Sequence, residues 1–213
     1  MLEKMDKFFE ARLAGYEEHM MTNIESAEEF YPFTASLLPA GHILDLGCGT
    51  GLELNWYFRL HPDAKVTGID LSEGMLRELR RKFPQQALEL IRGSYLDMPL
   101  GENRFHGAVS VESLHHFTAE EKLPLYRRLF GALKPGAAFI LTDYFAPDEE
   151  TEKFCRRELL RLKAEQGIAD SDFYHYDTPL TAENEQAVLL AAGFEKIEIL
   201  GQWGCTSTLR AVK

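Results

Sequence analysis

The stretch from Ile43 to Gly51 constrains the fold of this chain more than any other part of the sequence. It predicts a short apolar strand containing Asp45, then a turn with alternating glycines, then a helix that begins near Leu52. Glycine has no Cβ atom, so the backbone can bend sharply and lie close to a ligand. A strand, a glycine-rich turn and a helix in this order are typical of the nucleotide-binding corner of a doubly wound sheet.

The glycine turn differs from two well-known phosphate-binding motifs. Its Gly-x-Gly-x-Gly spacing is not the dinucleotide Gly-x-Gly-x-x-Gly, and no Lys-Ser/Thr pair follows to make a phosphate loop. The start of the following helix would still present unpaired N–H groups and the positive end of its dipole to an anion. The turn therefore predicts a ligand site without identifying the ligand.

A second predicted strand, 65–70, ends in Asp70, which follows Gly47 by 23 residues (70 minus 47). Folds of this kind place a carboxylate near this position on the hydroxyls of a ribose. Asp70 could instead cap the helix that starts at Leu71-Ser72, and both roles can coexist. The order of strand, glycine turn, helix, strand and acid favours the ribose contact.

The rest of the chain alternates between strand and helix patterns. Thr118 and Glu121 form a Thr-x-x-Glu capping box that opens a helix, whereas Pro32 is expected to interrupt an N-terminal one. The last two strands are separated only by 201–204, which requires an antiparallel hairpin. Five further strands are predicted, at 88–91, 108–111, 138–143, 194–200 and 206–212.

These elements predict one α/β domain over residues 1–213. Its parts are an N-terminal helical cap (1–40) and a Rossmann-like core (41–213) with a helical or loop insertion at about 147–180. The core is a doubly wound, mostly parallel, seven-stranded sheet with a C-terminal antiparallel hairpin.

Composition narrows the possible partners. The formal net charge of -11 argues against a surface that neutralises a phosphate backbone, and favours a neutral or cationic small molecule. The acidity alone could also serve only solubility. Three cysteines without CxxC spacing indicate a reducing compartment and no structural zinc. The charged first residues and the lack of a long apolar run lead us to expect a cytoplasmic protein that does not enter a membrane.

Five segments, in this order, resemble class I S-adenosylmethionine-dependent methyltransferases. They are 44–51, 68–76, 93–99, the fourth strand with Leu114-His115-His116-Phe117, and 133–136. Each segment is weak evidence alone, but together at these spacings they are specific. The resemblance covers roughly 43–213 and implies S-adenosyl-L-methionine as cofactor, S-adenosyl-L-homocysteine as product, and methyl transfer by in-line displacement.

The resemblance also implies the roles of individual residues. The glycine turn would line the methionine portion of the cofactor with Asp45 behind it, Asp70 would bind the ribose, and Leu71 and Met75 would pack on the adenine. Ser94 stands where relatives commonly have an acid that reaches the adenine amino group. The predicted cofactor-binding residues are Tyr16, Asp45, Gly47, Cys48, Gly49, Thr50, Gly51, Asp70, Leu71, Met75, Ser94, Tyr95, Leu96 and Val111. For Tyr16, a flap over the turn and an ordinary core or surface position both remain open.

On the acceptor side, the predicted catalytic residues are His115, His116 and Tyr144, which follow the fourth and fifth strands. Either histidine could instead pack against the sheet edge or cap the next helix. Glu112, Tyr174 and Tyr176 are the predicted substrate residues. The segment 172–177 is either a lid or a packed surface loop, and no metal ligands are predicted.

Three functions follow from these observations. A methyltransferase acting on a small molecule, as a monomer or homodimer, is favoured. An RNA or tRNA base methyltransferase is the second, although the sequence has no Asn/Asp-Pro-Pro-Tyr motif, no Pro-Cys nucleophile and no basic stripe. The third is a non-catalytic S-adenosylmethionine-binding module, or an NAD-dependent oxidoreductase.

Overall fold

The computed structural model describes residues 1–169 and 172–213, and its strands form a single seven-stranded sheet. The strands are β1 (His42–Leu46), β2 (Lys65–Asp70), β3 (Ala87–Arg92), β4 (Phe105–Val111), β5 (Leu133–Tyr144), β6 (Glu195–Trp203) and β7 (Thr206–Val212). The helices are α1 (Met5–Arg12), α2 (Tyr16–Asn23), α3 (Ala27–Ser36), α4 (Leu54–Leu60), α5 (Glu73–Lys82), α6 (Ala119–Ala132), α7 (Glu149–Gln166) and α8 (Ala182–Ala192).

The strand order is β3-β2-β1-β4-β5-β7-β6. Strands β1 to β5 pair in parallel, whereas β7 pairs antiparallel with both β5 and β6. The order reverses between β1 and β4, which is the point where ligands bind in open sheets of this kind. The predicted doubly wound sheet with a C-terminal hairpin is confirmed.

Helices cover both faces of the sheet because side chains alternate along each strand. Ile43 packs with α3, α4 and α5 on one face, and the next residue, Leu44, packs with α6 and α8 on the other. In the same way Val109 and Ala108 belong to opposite faces. Two hydrophobic cores therefore hold the central strands rigidly and fix the positions of their ends.

Short polar side chains start the helices that follow the strands. Ser72 accepts a hydrogen bond from the Met75 N–H at 3.2 Å, and Asp148 and Thr181 cap α7 and α8 in the same way. The predicted capping box of Thr118 and Glu121 is confirmed at the start of α6. These caps satisfy backbone N–H groups that would otherwise lack partners.

Helix α4 begins at Leu54, two residues after Leu52, near which it was predicted to begin. Two local predictions were wrong. Pro32 lies inside α3, where burial of Phe30, Tyr31 and Ala35 offsets the hydrogen bond that proline cannot donate. The hairpin turn lies at 204–205, since β6 continues through Gly201 to Trp203.

The cap and the region after β5 both contribute to the carboxyl edge of the sheet. Met5 and Phe9 of α1, together with Tyr16 of α2, face the glycine turn. After β5 the chain forms α7 and then a loop that returns to β4; Asp170 and Ser171, within the predicted insertion, lie outside the described residues. Nowhere in 1–169 or 172–213 is a helix both long enough and apolar enough to cross a membrane.

A buried polar group joins α6 to α8 and gives a test of the fold. Lys122 and Tyr126 both donate to the carboxylate of Glu185, and all three side chains are buried. We expect Lys122→Met to lower the free energy of unfolding by about 3–5 kcal/mol, because it leaves an uncompensated buried carboxylate. Urea denaturation followed by circular dichroism measures this change.

The double variant Lys122→Met/Glu185→Gln is the matched control. Glutamine is neutral and its carbonyl oxygen can still accept from Tyr126, so the double variant should recover most of the lost stability. A double variant as unstable as the single one would show that the ion pair does not account for the effect.

Candidate functional site

The glycine turn after β1 can exist only because Gly47 has no side chain. Its φ of +73° is in the left-handed region, and a Cβ atom there would lie 2.0 Å from Ser113 Oγ. The Gly47 and Cys48 N–H groups both donate to the carbonyl of Ile69, which holds the turn against the end of β2. A ligand that meets this turn therefore also meets β2.

Asp70 touches the turn directly. Its Oδ2 accepts from the Gly49 N–H at 2.9 Å, and its Oδ1 accepts from the Ser72 N–H at 2.8 Å. Burial raises the pKa of Asp70, although these backbone hydrogen bonds oppose the shift. Each carboxylate oxygen keeps a second lone pair, so the group can still accept from ligand hydroxyls. Ser72, not Asp70, is the cap of α5.

A small cavity of about 50 Å³ lies over the turn and Asp70. Phe9 and Tyr16 of the cap narrow it from above. Its lining contains many of the predicted cofactor-binding residues together with side chains from the cap and from the end of β4: Met5, Phe9, Tyr16, Gly47, Gly49, Asp70, Leu71, Met75, Tyr95, Glu112, Ser113, His116 and Phe117. The turn and Asp70 thus form one site.

Three oxygens beneath the turn are buried and have no hydrogen-bond partner among the described residues: Asp45 Oδ2, Thr50 Oγ1 and Glu53 Oε1. Burial raises the pKa of Asp45 well above its ordinary value, and the neighbouring Glu53 raises it further. Burial also raises the pKa of Glu53. Burial and the neighbouring acid both disfavour the ionised form of Asp45, and a cation placed beside it would favour that form.

Six other predicted cofactor-binding residues support the cavity without lining it. Cys48, Leu96 and Val111 are buried in the hydrophobic cores, and Thr50 is buried beneath the turn. A Cβ on Gly51 would lie 2.4 Å from Leu79, so this glycine permits close packing of α5. Ser94 Oγ accepts from the Leu96 N–H at 3.2 Å, and its neighbour Tyr95 is the residue that lines the cavity.

A larger cavity of about 910 Å³ adjoins the first. The two share Phe9, Tyr16, Glu112 and His116 as a common wall. The larger cavity is lined mainly by aromatic, histidine and acidic side chains, which include Phe8, His115, Tyr144, His175, Asp177 and Trp203. All three predicted catalytic residues therefore lie at this cavity.

Both predicted histidines face carboxylates. His115 Nδ1 lies 2.5 Å from Asp143 Oδ1, and burial of this ring is outweighed by Asp143, so the pKa of His115 rises to about 9. His116 Nδ1 lies 3.1 Å from Asp177 Oδ1, within ion-pair range but without hydrogen-bond alignment. Burial lowers the pKa of His116, and the neighbouring His115 lowers it further.

Glu112 stands at the junction of the two cavities in a strained conformation. Its φ is +49°, which non-glycine residues seldom adopt, and its side chain is 8% exposed. Thr206 Oγ1 donates to Glu112 Oε1 at 3.1 Å. Burial raises the pKa of Glu112 to about 7, and Asp143 adds to the shift. A positive charge in either cavity would therefore favour the ionised form of Glu112.

The remaining predicted residues lie elsewhere. Tyr174 forms an isolated bridge with Lys4, and Tyr176 lines a separate surface depression beside Met1 and Gln166. Neither is among the described residues that line the two main cavities. The segment 172–177 crosses the edge of the larger cavity and is tied to the cap, since the Phe173 carbonyl accepts from the Met5 N–H at 3.2 Å.

The predicted site residues did not include Phe9, Asp143, His175 or Asp177, although the last two lie in the segment 172–177 that was a possible lid. Asp143 could have been found, because it ends a predicted strand in the same way as Asp70. Asp177 and His175 lie in a polar, aromatic stretch. No local sequence pattern indicates that this stretch lies near the end of β4.

Comparison with known proteins gives a consistent result. A family model described as a methyltransferase domain matches residues 43–136. Demethylmenaquinone methyltransferase of Symbiobacterium thermophilum is 33% identical over 114 residues, which are 51% of this chain and 45% of that protein. The 24-methylenesterol C-methyltransferase 3 of Arabidopsis thaliana is 29% identical over 154 residues, 68% of this chain and 42% of that protein. The chain thus spans less than half the length of these two relatives.

Among solved structures, a methyltransferase of Thermotoga maritima, dependent on S-adenosylmethionine and described as a possible histamine N-methyltransferase, superposes with a TM-score of 0.69. The superposition covers 98% of this chain and 99% of that one at 19% identity. At this identity the likeness establishes the fold.

Alanine substitutions of two glycines, one in the turn and one in α6, should change the stability of the protein in opposite directions. We expect Gly47→Ala to lower the free energy of unfolding by more than about 1–2 kcal/mol, because the left-handed φ alone costs that much and the contact with Ser113 adds to it. Gly131→Ala in α6, where a Cβ meets nothing within 4 Å, should raise stability by about 0.5–1 kcal/mol. Urea denaturation of both variants tests this; equal effects would contradict the assigned backbone of the turn.

Proposed function

Because the chain belongs to the class I S-adenosylmethionine-dependent methyltransferases, we propose that it transfers a methyl group from S-adenosylmethionine to a small-molecule acceptor. The observation that carries this proposal is the common wall between two adjoining cavities. One cavity contains the glycine turn and Asp70, and the other contains His115 and Tyr144. A donor in the first and an acceptor in the second would meet at Glu112 and His116.

In this proposal the cofactor occupies the smaller cavity, with its methionine end at the glycine turn and its ribose at Asp70. Leu71, Met75 and Tyr95 supply the surface for the adenine. The buried acids Asp45 and Glu53 lie under the end that carries the ammonium group, where a positive charge is favoured. Phe9 and Tyr16 narrow this cavity, so we expect α1 and Tyr16 to move outward when the cofactor enters.

The acceptor occupies the larger cavity. Its acids Glu112 and Asp177 stand beside the cationic Arg12 and His115, and its aromatic side chains favour a planar or apolar molecule. The net charge of -11 opposes a phosphate backbone, which ranks a nucleic acid below a small molecule.

Methyl transfer is an in-line displacement in which the bond from sulfur to the methyl carbon breaks as the bond from the acceptor forms. S-adenosylhomocysteine leaves, and an acceptor that arrives protonated gives its proton to a nearby base. The protein supplies alignment and excludes water. We assign the removal of any such proton to His116, because burial lowers its pKa and leaves the ring neutral, and the positioning of the acceptor to His115 and Tyr144, with Glu112 beside them.

Calorimetry with the two candidate cofactors tests the proposal. We expect S-adenosylmethionine to bind with a dissociation constant of about a micromolar order and NAD not to bind. Asp70→Asn should weaken S-adenosylmethionine binding at least about tenfold, because it replaces one acceptor oxygen with an amide N–H donor.

The control for this experiment is Asp63→Asn, which changes an exposed acid in the turn before β2. It should bind the cofactor as the wild type does. Normal binding by Asp70→Asn would exclude the ribose assignment, and binding of NAD in place of S-adenosylmethionine would exclude the methyltransferase. Binding without S-adenosylhomocysteine formation from a metabolite extract would favour the non-catalytic module.

A further inference from the structure

We propose that His115, His116 and Asp177 bind a divalent transition-metal ion of the zinc type in the wall of the larger cavity. One donor atom from each residue lies within 4.8 Å of the other two. Two imidazoles and a carboxylate are the ligands that zinc and similar ions prefer.

The separations of the donor atoms are close to those of ligands that share one metal ion. Asp177 Oδ1 lies 3.6 Å from His115 Nε2 and 3.1 Å from His116 Nδ1. In a tetrahedral site with bonds of roughly 2.0–2.1 Å, neighbouring donor atoms are about 3.3 Å apart. The carboxylate oxygen is therefore spaced from both nitrogens as a fellow ligand would be.

The tautomer of His115 is set by its other neighbour. Asp143 Oδ1 lies 2.5 Å from Nδ1, and a carboxylate can only accept, so Nδ1 carries the proton. Nε2, on the side of Asp177, is then the nitrogen from which a metal ion would displace the second proton. Asp143 is itself held by the N–H groups of Leu114 and Tyr144. A carboxylate behind a histidine in this way orients the ring and strengthens it as a metal ligand.

His116 provides the observation that indicates a missing ligand. Its Nδ1 is buried and has no hydrogen-bond partner in the described part of the chain, although Asp177 is only 3.1 Å away. Buried polar atoms are almost always satisfied, and an unsatisfied one costs about 1–3 kcal/mol. A metal ion between His116 and Asp177 would satisfy this nitrogen.

The surrounding charge and backbone favour a cation at this point. Glu112 Oε2 lies 3.9 Å from His115 Nδ1, so three carboxylates surround the two rings. The Thr178 N–H donates to the His115 carbonyl at 2.8 Å, which fastens the loop that carries Asp177 to the end of β4. The three donors are therefore held together before any ion binds.

The position also suggests what the ion would do. The Asp177 side chain is 51% exposed at the larger cavity, so three protein ligands would leave a coordination position open toward the acceptor. An acceptor oxygen or nitrogen bound there would lose its proton more easily, so the ion would take over the role that His116 has as a base in the metal-free site. This role rests on the proposed methyl transfer, whereas metal binding itself does not.

Cobalt titration of the full-length chain, after treatment with a chelator, tests the inference. We expect one equivalent of Co²⁺ to bind with visible d–d absorption, Zn²⁺ to displace it, and equimolar Mg²⁺ not to. His116→Gln and Asp177→Asn should each weaken binding at least about tenfold. His106→Gln is the control, because His106 is an exposed histidine at the opposite end of β4 and should leave binding unchanged.

Thermal unfolding of each variant distinguishes the loss of a metal ligand from the loss of folded structure. Because the Asp177 side chain is exposed, we expect the fold to tolerate Asp177→Asn best. Wild-type binding no tighter than that of the Asp177→Asn variant would overturn the inference, as would displacement of Co²⁺ by Mg²⁺. Calorimetry with S-adenosylmethionine on the metal-free protein is read separately. Cofactor binding without metal binding excludes only the metal site, and metal binding without cofactor binding excludes only the methyltransferase.

Discussion

The hydrogen bond from the Gly49 N–H to the Asp70 carboxylate joins the turn after β1 to the end of β2, between two residues that are 21 positions apart in the chain. Parallel pairing places Leu46 of β1 opposite Ile69 of β2, and the Ile69 carbonyl then accepts from the two residues that begin the turn. The turn and the carboxylate are thereby fixed relative to each other. The rest of the site, which comes from the cap and from the end of β4, packs around the turn and this carboxylate.

Buried carboxyl groups make this edge of the sheet favourable for a cation. Burial raises the pKa values of Asp45, Glu53, Asp70 and Glu112, so each carboxyl is pushed toward its neutral form. A cation that enters restores the ionised form and recovers the free energy lost to desolvation. S-adenosylmethionine carries a sulfonium and an ammonium group, and therefore suits this surrounding better than a phosphate-rich ligand does.

The two histidines after β4 show why neighbouring residues can differ. His115 is turned toward Asp143, and the carboxylate outweighs the effect of burial, so its pKa rises. His116 is turned toward Asp177 on another loop, and there burial and the charge of His115 prevail, so its pKa falls. The pKa values of two adjacent histidines are thus shifted in opposite directions, because their rings face different elements of the fold.

Much of the fold was predictable because its signals are local. The strand boundaries of β2 and the capping box at Thr118 follow from residues within a few positions of one another. The helix through Pro32 was not predictable, since the burial that sustains it comes from the sheet. For the site, the glycine turn and Asp70 were predictable because the acid and the glycines mark the ends of successive strands.

Residue order alone therefore dictates the sheet, its glycine turn and the acid that meets it, since hydrophobic periodicity and glycine conformation act over short stretches. The partners of His115 and His116, the common wall of the two cavities and the closure of the cap over them depend on the path of the chain in space. Asp143 lies 28 residues from His115, and Asp177 reaches it only after α7 and a returning loop. Contacts of that kind arise from packing, which no local pattern encodes.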